Sequence, residues 1–435
     1  MNRTRSQLPS LPQTSRHPAR RLPALLALAL SLSACGPAMD EDTNWLFPLW
    51  VPTQVLVADI DSDGRADILT LAMLARSDTE REGRLLVRRQ TAPGVFAPAV
   101  SYEVGHDPWK MALGDLNADG APDLVVADVG VAHLGLPPAL WLIRQNLGQR
   151  GSFLAPEALA VQPQRPYGVA LADLNGDNAL DIVLADSLAP GRGATLIYQD
   201  PGKPGDFSAP TLLSLPGDAT EVATGDLNGD GRTDLAFRLF LEAIDFVPHT
   251  TLALVYQQPG GTLGTPLQLA AQQGLSTRLL TVVDWDRNGV PDLAEFCTPA
   301  SVNYQARFTR LIQSNPPGSF TPAQTLLAGV PGLDGGVVAD LNGDGLPDFA
   351  TVGAYPVGSP SSILSSLHIM FNDGLGGLSM QPAISLPIAS ARVAAGDLNG
   401  DGLGDLVILG EDNRVFALLQ LASARGSFGA PLFLN

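Results

Sequence analysis

The stretch DLNGDGRTDL at residues 226–235 decides the fold, because close copies of it recur along the chain. Their common pattern is D-x-[DN]-x-[DN]-G-x-x-D, with a single departure at Asn178, which stands where Gly is expected. Copies begin at Asp59, Asp115, Asp173, Asp226, Asp284, Asp340 and Asp397, so successive starts lie 53 to 58 residues apart. A period this regular indicates a repeat architecture.

Short apolar runs flank each copy of the loop, for example residues 55–58 and 68–71 around the first. Runs of four to six residues rich in Val, Ile and Leu predict buried strands, with the nine-residue loop connecting two of them. A third apolar run follows in each repeat, and a fourth comes after a Gly-aromatic signal such as residues 151–153. Each repeat is therefore predicted to form four strands.

A four-stranded unit of this length cannot bury both of its faces alone, so neighbouring units must stack. Stacking in a ring gives a β-propeller. The seven loops predict an all-β, seven-bladed β-propeller over residues 45–435, with the loops joining the first and second strands of each blade. A linear β-solenoid or an array of β-sandwiches is the alternative, although the period is too long for hexapeptide or nonapeptide β-helix repeats. The mode of ring closure is left open.

The loop spacing predicts a site for a hard divalent cation, because positions 1, 3, 5 and 9 supply side-chain oxygens and position 7 a carbonyl. Ligands that are all oxygen exclude zinc and copper and favour calcium in a flexible cage. The pattern resembles the first half of an EF-hand loop. We predict up to seven calcium ions, held by Asp59, Asp61, Asp63, Asp67, Asp115, Asn117, Asp119, Asp123, Asp173, Asn175, Asp177, Asp181, Asp226, Asn228, Asp230, Asp234, Asp284, Asp286, Asn288, Asp292, Asp340, Asn342, Asp344, Asp348, Asp397, Asn399, Asp401 and Asp405.

One such loop alone could be an Asx-rich turn without metal. Seven copies place 22 of the 44 acidic residues within 63 residues, which is unfavourable unless cations compensate. The first loop has four carboxylates, partly offset by Arg65. The third is expected to bind more weakly, since Asn178 must adopt a left-handed φ. The fifth, with Trp285 and Arg287, is expected to bind still.

The first residues predict an export signal, since five Arg residues precede an apolar stretch at residues 22–32 and no acidic residue precedes Asp40. Eleven apolar residues at about 1.5 Å each are too short to span a bilayer. The sequence LSAC at residues 32–35 resembles the lipobox of bacterial lipoproteins. We expect a signal peptide at residues 1–34, a lipidated Cys35 with a tether at residues 35–44, and a membrane-anchored protein of the bacterial cell envelope. An ordinary signal peptide with a chance cysteine is the alternative.

The repeats resemble the FG-GAP/VCBS family, which includes the integrin α-subunit propeller and many secreted bacterial proteins. The match is fullest at residues 226–235, 340–349 and 397–406, and the resemblance covers roughly residues 51–434. It implies a calcium-stabilised seven-bladed propeller with the metal loops on one face. It does not imply one function, because such repeats serve adhesion, ligand binding and, with further residues, lyase or phospholipase chemistry.

Composition and motifs restrict the function. A net charge of −18 disfavours nucleic acid as a partner, and the two cysteines, Cys35 and Cys297, exclude a disulfide scaffold. Cys297 is expected in the core. The four histidines beyond the signal lie in different repeats and no hydrolase motif is present, so no catalytic residue is predicted. A polysaccharide lyase-like enzyme and a structural subunit of an envelope assembly remain alternatives to a binding protein.

The ligand surface is predicted on the face opposite the calcium loops, where the segments entering the first strands meet because strands alternate in direction. These segments differ between repeats, and their aromatic and charged side chains suit sugar stacking or carboxylate pairing. The rim is lowest at the short connection of residues 410–413. We therefore predict a binding or adhesion module for a glycan or protein ligand, although the two aromatic residues could instead plug the channel. The predicted surface is Trp109, Arg165, Tyr167, Glu221, Arg278 and Arg392.

Overall fold

The computed structural model describes residues 49–77, 79–187, 193–244, 247–269, 272–273, 275–299, 305–311, 313, 320–321, 324–331, 333–357, 359–375 and 377–434. The predicted signal peptide, Cys35 and the tether lie outside these residues. Within them, no helix has the length and apolar character needed to cross a membrane.

The described chain forms seven antiparallel sheets, one for each repeat, which we number as blades 1 to 7 in chain order. From the axis outward, each sheet has an inner, a second, a third and an outer strand. The inner strands are Leu49–Ala58, Pro108–Gly114, Pro166–Ala172, Asp218–Gly225, Leu275–Val283, Leu333–Ala339 and Ser390–Gly396. The second strands are Asp67–Ala75, Asp123–Asp128, Asp181–Asp186, Asp234–Ile244, Asp292–Pro299, Asp348–Val357 and Asp405–Gly410.

The outer half of the blades is more variable in length. The third strands are Arg81–Arg88, Ala139–Ile143, Gly193–Ile197, Val247–Val255, Gln305–Leu311, Ser359–Asn372 and Val415–Leu418. The outer strands are Val100–Glu103, Glu157–Ala158, Thr211–Ser214, Leu267–Gln268 with Gln272–Gln273, Gln324–Pro331, Leu378–Met380 with Ile384–Leu386, and Leu432–Leu434. Two small ribbons, Gln90–Ala92 with Val95–Phe96 and Gln257–Gln258 with Thr262–Leu263, and a 3-10 helix, Ala132–Leu134, complete the described structure.

The second strands form the centre of the core. Every residue of Asp67–Ala75, Asp123–Asp128, Asp181–Asp186 and Asp405–Gly410 is buried. Both faces of such a strand lie against neighbouring blades, which explains why these sequences are continuous apolar runs rather than alternating ones. The prediction of seven sheets stacked in a propeller is confirmed.

The Gly-aromatic signal forms the turn before the outer strand and not the strand itself. Phe153 pairs with Gln145 in an isolated bridge, and Phe207, Phe320 and Phe428 make the same bridge in blades 3, 5 and 7. The preceding Gly151 has a φ of 77°, and a Cβ there would lie 3.0 Å from a carboxylate oxygen of Asp61 in blade 1. Gly is needed because this turn packs onto the nine-residue loop of the preceding blade.

The ring closes by direct contact between blades 7 and 1, with no strand exchanged between the two sheets in the described chain. Arg392 Nε donates to the Thr53 carbonyl at 2.7 Å, and Gln90 Nε2 donates to the Leu398 carbonyl at 2.6 Å. Val55 of blade 1 belongs to the same buried cluster as the apolar side chains of blade 7. Side-chain packing and hydrogen bonds therefore hold the seam.

A break in register marks every inner strand at the end opposite the nine-residue loop. One residue in each strand is skipped in the pairing with the second strand, as in a β-bulge, and bulges redirect side chains. The skipped residues are Thr53, Trp109, Tyr167, Thr220, Arg278, Asp334 and Ala391. Residues of six different types thus occupy one equivalent position at the same end of the ring.

Candidate metal loops and ligand surface

The nine-residue loop is shaped by its position 1 aspartate, which accepts two backbone hydrogen bonds. In blade 4, Asp226 Oδ1 accepts from the Asp230 N–H at 3.0 Å and Oδ2 from the Gly231 N–H at 2.7 Å. Asp230 Oδ1 in turn accepts from the Arg232 N–H at 2.9 Å. These Asx-type bonds draw the side-chain oxygens at positions 1 and 5 toward the interior of the loop.

Left-handed backbone occurs at two positions of each loop, of which the sequence analysis recognised only position 6. Asn178 adopts it with a φ of 66°, and its N–H bonds to Asp173 Oδ2 at 2.8 Å as the glycines do elsewhere. The expected tolerance of Asn at this position is confirmed. Position 4 is left-handed too, with Ser62, Ala118, Gly176, Gly229, Arg287, Gly343 and Gly400 at φ between 57° and 79°. The signal was Gly at position 4 in four of the seven copies.

The position 9 aspartate has a structural role in every blade. Its side chain is fully buried at the start of the second strand. Asp405 Oδ2 accepts from the Leu398 N–H of its own loop at 2.8 Å, and Oδ1 accepts from the Gln420 N–H at 2.7 Å. The same two bonds recur at Asp67, Asp123, Asp181, Asp234, Asp292 and Asp348.

Burial raises the pKa of these carboxyls, and the two backbone N–H donors oppose the rise. For Asp67, Asp181, Asp234, Asp292, Asp348 and Asp405 the pKa reaches about 6, and that of Asp123 is also raised. Repulsion from the neighbouring loop carboxylates raises the pKa further. A compensating positive charge would favour the ionised form.

The amide that ends the third strand joins this carboxylate to the preceding blade. Gln420 donates its backbone N–H to Asp405 and its side-chain Nε2 to the Leu341 carbonyl of blade 6 at 2.6 Å. The carbonyl at position 2 of the loop in the preceding blade accepts the equivalent bond from Gln90, Gln145, Gln313 and Asn372. Gln257 donates instead to the carbonyl at position 1 of that loop. Gln199 stays within its own blade. Asp and Gln together form a repeated clasp between neighbouring blades.

Two loops bring three carboxylates together. One oxygen each of Asp59, Asp61 and Asp67 in loop one, and of Asp284, Asp286 and Asp292 in loop five, lie within 4.8 Å of one another. These are the two loops with Asp at position 3, where the other five have Asn. A carboxylate triad is thus present in two blades of the described chain, and the calcium sites predicted for the remaining blades stay predictions.

Loop one also has a buried carboxylate oxygen that a cation could satisfy. Asp61 Oδ1 is buried and accepts no hydrogen bond. Burial raises the pKa of Asp61, the Asp63 and Asp59 carboxylates add to the rise, and Arg89 opposes it. A buried carboxylate oxygen without a donor is unfavourable unless a cation satisfies it. The donors are all hard oxygens, which suits calcium rather than a thiolate- or imidazole-seeking metal.

The arginines near the loops modulate their charge. Arg65 pairs with Asp63 in loop one, as the sequence predicted, and Arg232 pairs with Asp230 in loop four. In loop five, Trp285 is fully buried in the core and Arg287 Nη2 donates across to the Asp344 carbonyl of blade 6 at 3.4 Å. Trp285 and Arg287 therefore stabilise the fold, and the carboxylates of loop five remain available for a cation.

Five of the six predicted ligand residues lie at or directly after the bulges of the inner strands. Trp109 and Tyr167 are themselves bulge residues, and their rings meet edge to face at a centroid distance of 5.0 Å. Tyr167 is 9% exposed, whereas Trp109 is half-buried. Burial raises the pKa of Tyr167, while nearby Arg165 opposes the shift. These three residues form one cluster at the end opposite the metal loops.

The other three predicted ligand residues are not part of this cluster. Glu221 is paired with Lys110 at 2.9 Å, linking the inner strands of blades 4 and 2. Arg392 donates to the Thr53 and Ala391 carbonyls and stabilises the seam. The side chain of Arg278 lies outside the described residues, although its backbone forms the bulge of blade 5.

Asp107 is a residue that the sequence analysis did not single out as a site residue. Burial raises its pKa to about 6; the Trp109 side chain and Arg81 oppose the rise, and Asp128 adds to it. It belongs with the cluster of Trp109, Tyr167 and Arg165, because its charge also acts on Tyr167. Its position just before the Pro108–Gly114 strand was the available signal.

Two nucleophilic side chains of the described chain, Cys297 and Ser366, are buried. Cys297 is buried, as expected. Ser366 Oγ lies 2.8 Å from His368 Nε2, but both residues belong to the third strand of blade 6 and Ser366 is 7% exposed. Burial lowers the pKa of His368. Ser366 is therefore enclosed in the sheet, whereas His368 is only partly buried.

Comparison with known proteins gave one family model that matches part of the chain. The model of the FG-GAP-like repeat matches residues 59–126 and 173–237. A comparison with curated proteins gave no match. Among solved structures, a functionally unknown protein from Desulfotomaculum acetoxidans DSM 771 is 12% identical with a TM-score of 0.46, covering 81% of this chain and 95% of that one.

A polysaccharide lyase described as an ulvan lyase, solved with bound -[GlcA(1-4)Rha3S]-, is also 12% identical. Its TM-score is 0.50, with 87% of this chain and 93% of that chain covered. Likeness at this level of identity concerns the fold alone.

Proposed function

We propose that this seven-bladed propeller, built from FG-GAP-like repeats, is a calcium-stabilised binding or adhesion module for a glycan or protein ligand. The observation that carries the proposal is the contrast between the two ends of the ring. The loop end repeats one arrangement in every blade, whereas the equivalent bulge position holds six different residue types across the seven blades. Variable residues on a regular scaffold are typical of recognition surfaces.

Trp109 and Arg165 are the residues best suited to meet a ligand. Trp109 is half-buried and is braced by the nearly buried ring of Tyr167, so little side-chain freedom is lost on binding. Arg165 is half-buried beside them, and its guanidinium can pair with a carboxylate or sulfate. Glu221 and Arg392, which are engaged in the fold, are expected to position this surface rather than bind directly.

The test is binding to a glycan array and to candidate surface proteins in 1 mM calcium. We expect Trp109→Ala and Arg165→Ala each to weaken binding at least tenfold while changing the melting temperature by only a few degrees. Leu212→Ala, which truncates an exposed side chain on the outer strand of blade 3, is the control and should bind normally. Loss of folding in both variants without a separable binding defect would assign these residues to the core and refute the proposal.

Lyase-like activity on polysaccharide is the alternative, supported by likeness of fold to an ulvan lyase. Such chemistry needs a base and a proton donor that reach the substrate. The sequence has no motif that assigns these two roles, and Ser366, which lies beside His368 in blade 6, is buried. The binding proposal therefore has the stronger support.

We also propose that the protein is anchored in the bacterial cell envelope through a lipid on Cys35. The support is the lipobox-like LSAC sequence that follows the Arg-rich segment and the apolar stretch. Acyl chains contribute about 0.8 kcal/mol per buried CH₂, so several chains give a stable anchor. Radiolabelled palmitate should enter the wild-type protein and not Cys35→Ala. Release of unlabelled, soluble wild-type protein would contradict the anchor.

A further inference from the structure

A cavity of about 450 Å³ lies at the seam between blades 7 and 1, at the end of the ring opposite the metal loops. This volume falls within the range of about 300–1,000 Å³ that is usual for small-molecule sites. It opens beside the short connection of residues 410–413, where the sequence predicted the lowest part of the rim. The cavity is lined by Leu49, Trp50, Pro387, Ile388, Ala389, Glu411, Asp412 and Arg414.

The polar wall of the cavity is held rigidly. The Gly410 N–H donates to the Arg414 carbonyl and the Glu411 N–H to the Ala389 carbonyl, both at 2.9 Å. Asn413 completes the turn in a left-handed conformation with a φ of 63°. The backbone that carries the acidic side chains therefore has little freedom to lose when a ligand binds.

The Arg414 guanidinium is fixed from two sides. Its Nε donates to Asp412 Oδ2 at 2.6 Å, and its Cζ lies 5.6 Å from the centre of the Phe433 ring. Both members of the ion pair are about half exposed, so their remaining polar atoms can reach a ligand. Fixed planar polar groups of this kind give directional hydrogen bonding to hydroxyl groups.

The opposite wall is apolar and includes an aromatic residue. Trp50 is half-buried, Leu49 is 36% exposed, and Ile388 and Pro387 extend the surface. An indole beside a paired carboxylate and guanidinium matches a ligand that has one C–H face and many hydroxyl groups. That combination is the chemistry of a saccharide.

The charge of the lining selects among saccharides. Asp412 and Arg414 neutralise each other in the lining, and the protein as a whole carries a net charge of −18. This pair leaves no uncompensated cation to attract an anionic ligand, which the acidic protein repels, whereas a neutral sugar can donate a hydroxyl proton to the Asp412 carboxylate. We propose that this seam cavity is a subsite for a neutral saccharide. The inference deepens the proposed function, because it rests on a glycan being the ligand.

The experiment measures binding of neutral hexasaccharides (cellohexaose, xylohexaose and mannohexaose) and of a hexagalacturonate by calorimetry with the calcium-loaded mature protein. We expect at least one neutral hexasaccharide to bind and the hexagalacturonate to bind at least tenfold more weakly. Trp50→Ala and Asp412→Ala should each weaken the neutral ligand at least tenfold. Leu212→Ala, which truncates an exposed apolar side chain on the outer strand of blade 3, is the control and should bind like the wild type.

Other outcomes would refute the seam subsite and would show whether the proposed function fails with it. Binding that is lost in Trp109→Ala and kept in both Trp50→Ala and Asp412→Ala places the sugar at the bulge cluster, so the proposed function stands. A preference for hexagalacturonate refutes the neutral class. Failure of every hexasaccharide refutes the subsite and leaves a protein ligand for the bulge cluster, to be tested with the candidate surface proteins. Asp412→Ala keeps the test valid if Trp50→Ala lowers the melting temperature, since Asp412 is exposed.

Discussion

Removal of calcium with EDTA is expected to lower the melting temperature of the mature protein by many degrees. With a dissociation constant of about 0.1 mM, which is in the range of extracellular modules, 1 mM calcium contributes about 1.4 kcal/mol per site. The carboxylate triads of loops one and five alone would contribute about 3 kcal/mol on that basis, and seven independent sites about 10 kcal/mol. Differential scanning calorimetry with and without EDTA measures the effect, and elemental analysis counts the ions.

A single variant tests whether the effect belongs to the loops. Asp61→Asn gives loop one the carboxylate count of its neighbours and removes a buried oxygen that lacks a donor. We expect it to lower stability in calcium and to leave it unchanged or higher in EDTA, because repulsion from Asp59 and Asp63 is relieved. Glu103→Gln, which removes an exposed carboxylate from the outer strand of blade 1, should show no such reversal. Equal melting curves with and without EDTA, together with no bound calcium, would exclude the metal.

The fold was predictable because its determinants repeat. Seven copies of one loop at a constant spacing define seven equal units, and the flanking apolar runs define the strands that each unit must bury. Ring closure could not be predicted, since it depends on contacts between residues more than 300 positions apart, such as Arg392 with Thr53. The sequence carries no periodic signal for a contact that occurs once.

The candidate sites were predicted in part, and the omissions have physical reasons. Trp109, Tyr167 and Arg278 were chosen because they precede the first strands, yet the bulges that place them at one level depend on strand register, which no local pattern specifies. The seam cavity combines Trp50 with Arg414, which are brought together only by closure of the ring. The clasp had a visible signal, because a Gln or Asn ends the third apolar run in every repeat. The role of this amide could not be predicted from the sequence, because it depends on the buried position 9 carboxylate that the amide contacts.

The clasp makes the position 9 aspartate different from the other loop carboxylates, and this difference is measurable without calcium. In EDTA, Asp405→Ala is expected to lower the free energy of unfolding by about 3–5 kcal/mol, because two buried N–H groups, of Leu398 and Gln420, lose a charged acceptor. Asp401→Ala, at exposed position 5 of the same loop, should cost less than about 1 kcal/mol in EDTA and show most of its effect only in calcium.

Asp405→Asn distinguishes the effect of losing the hydrogen-bond acceptor from the effect of losing side-chain volume. The amide keeps the size of the carboxylate, but its NH₂ group must face one of the two backbone donors, so we expect a loss close to that of Asp405→Ala. Urea unfolding in EDTA measures all three variants against the wild type. If Asp405→Ala and Asp401→Ala were equally mild in EDTA and equally damaging in calcium, position 9 would act only as a metal ligand. A large loss confined to Asp405 would instead mean that the loop aspartates divide their work, with position 9 joining the blades and positions 1, 3 and 5 left for the cation.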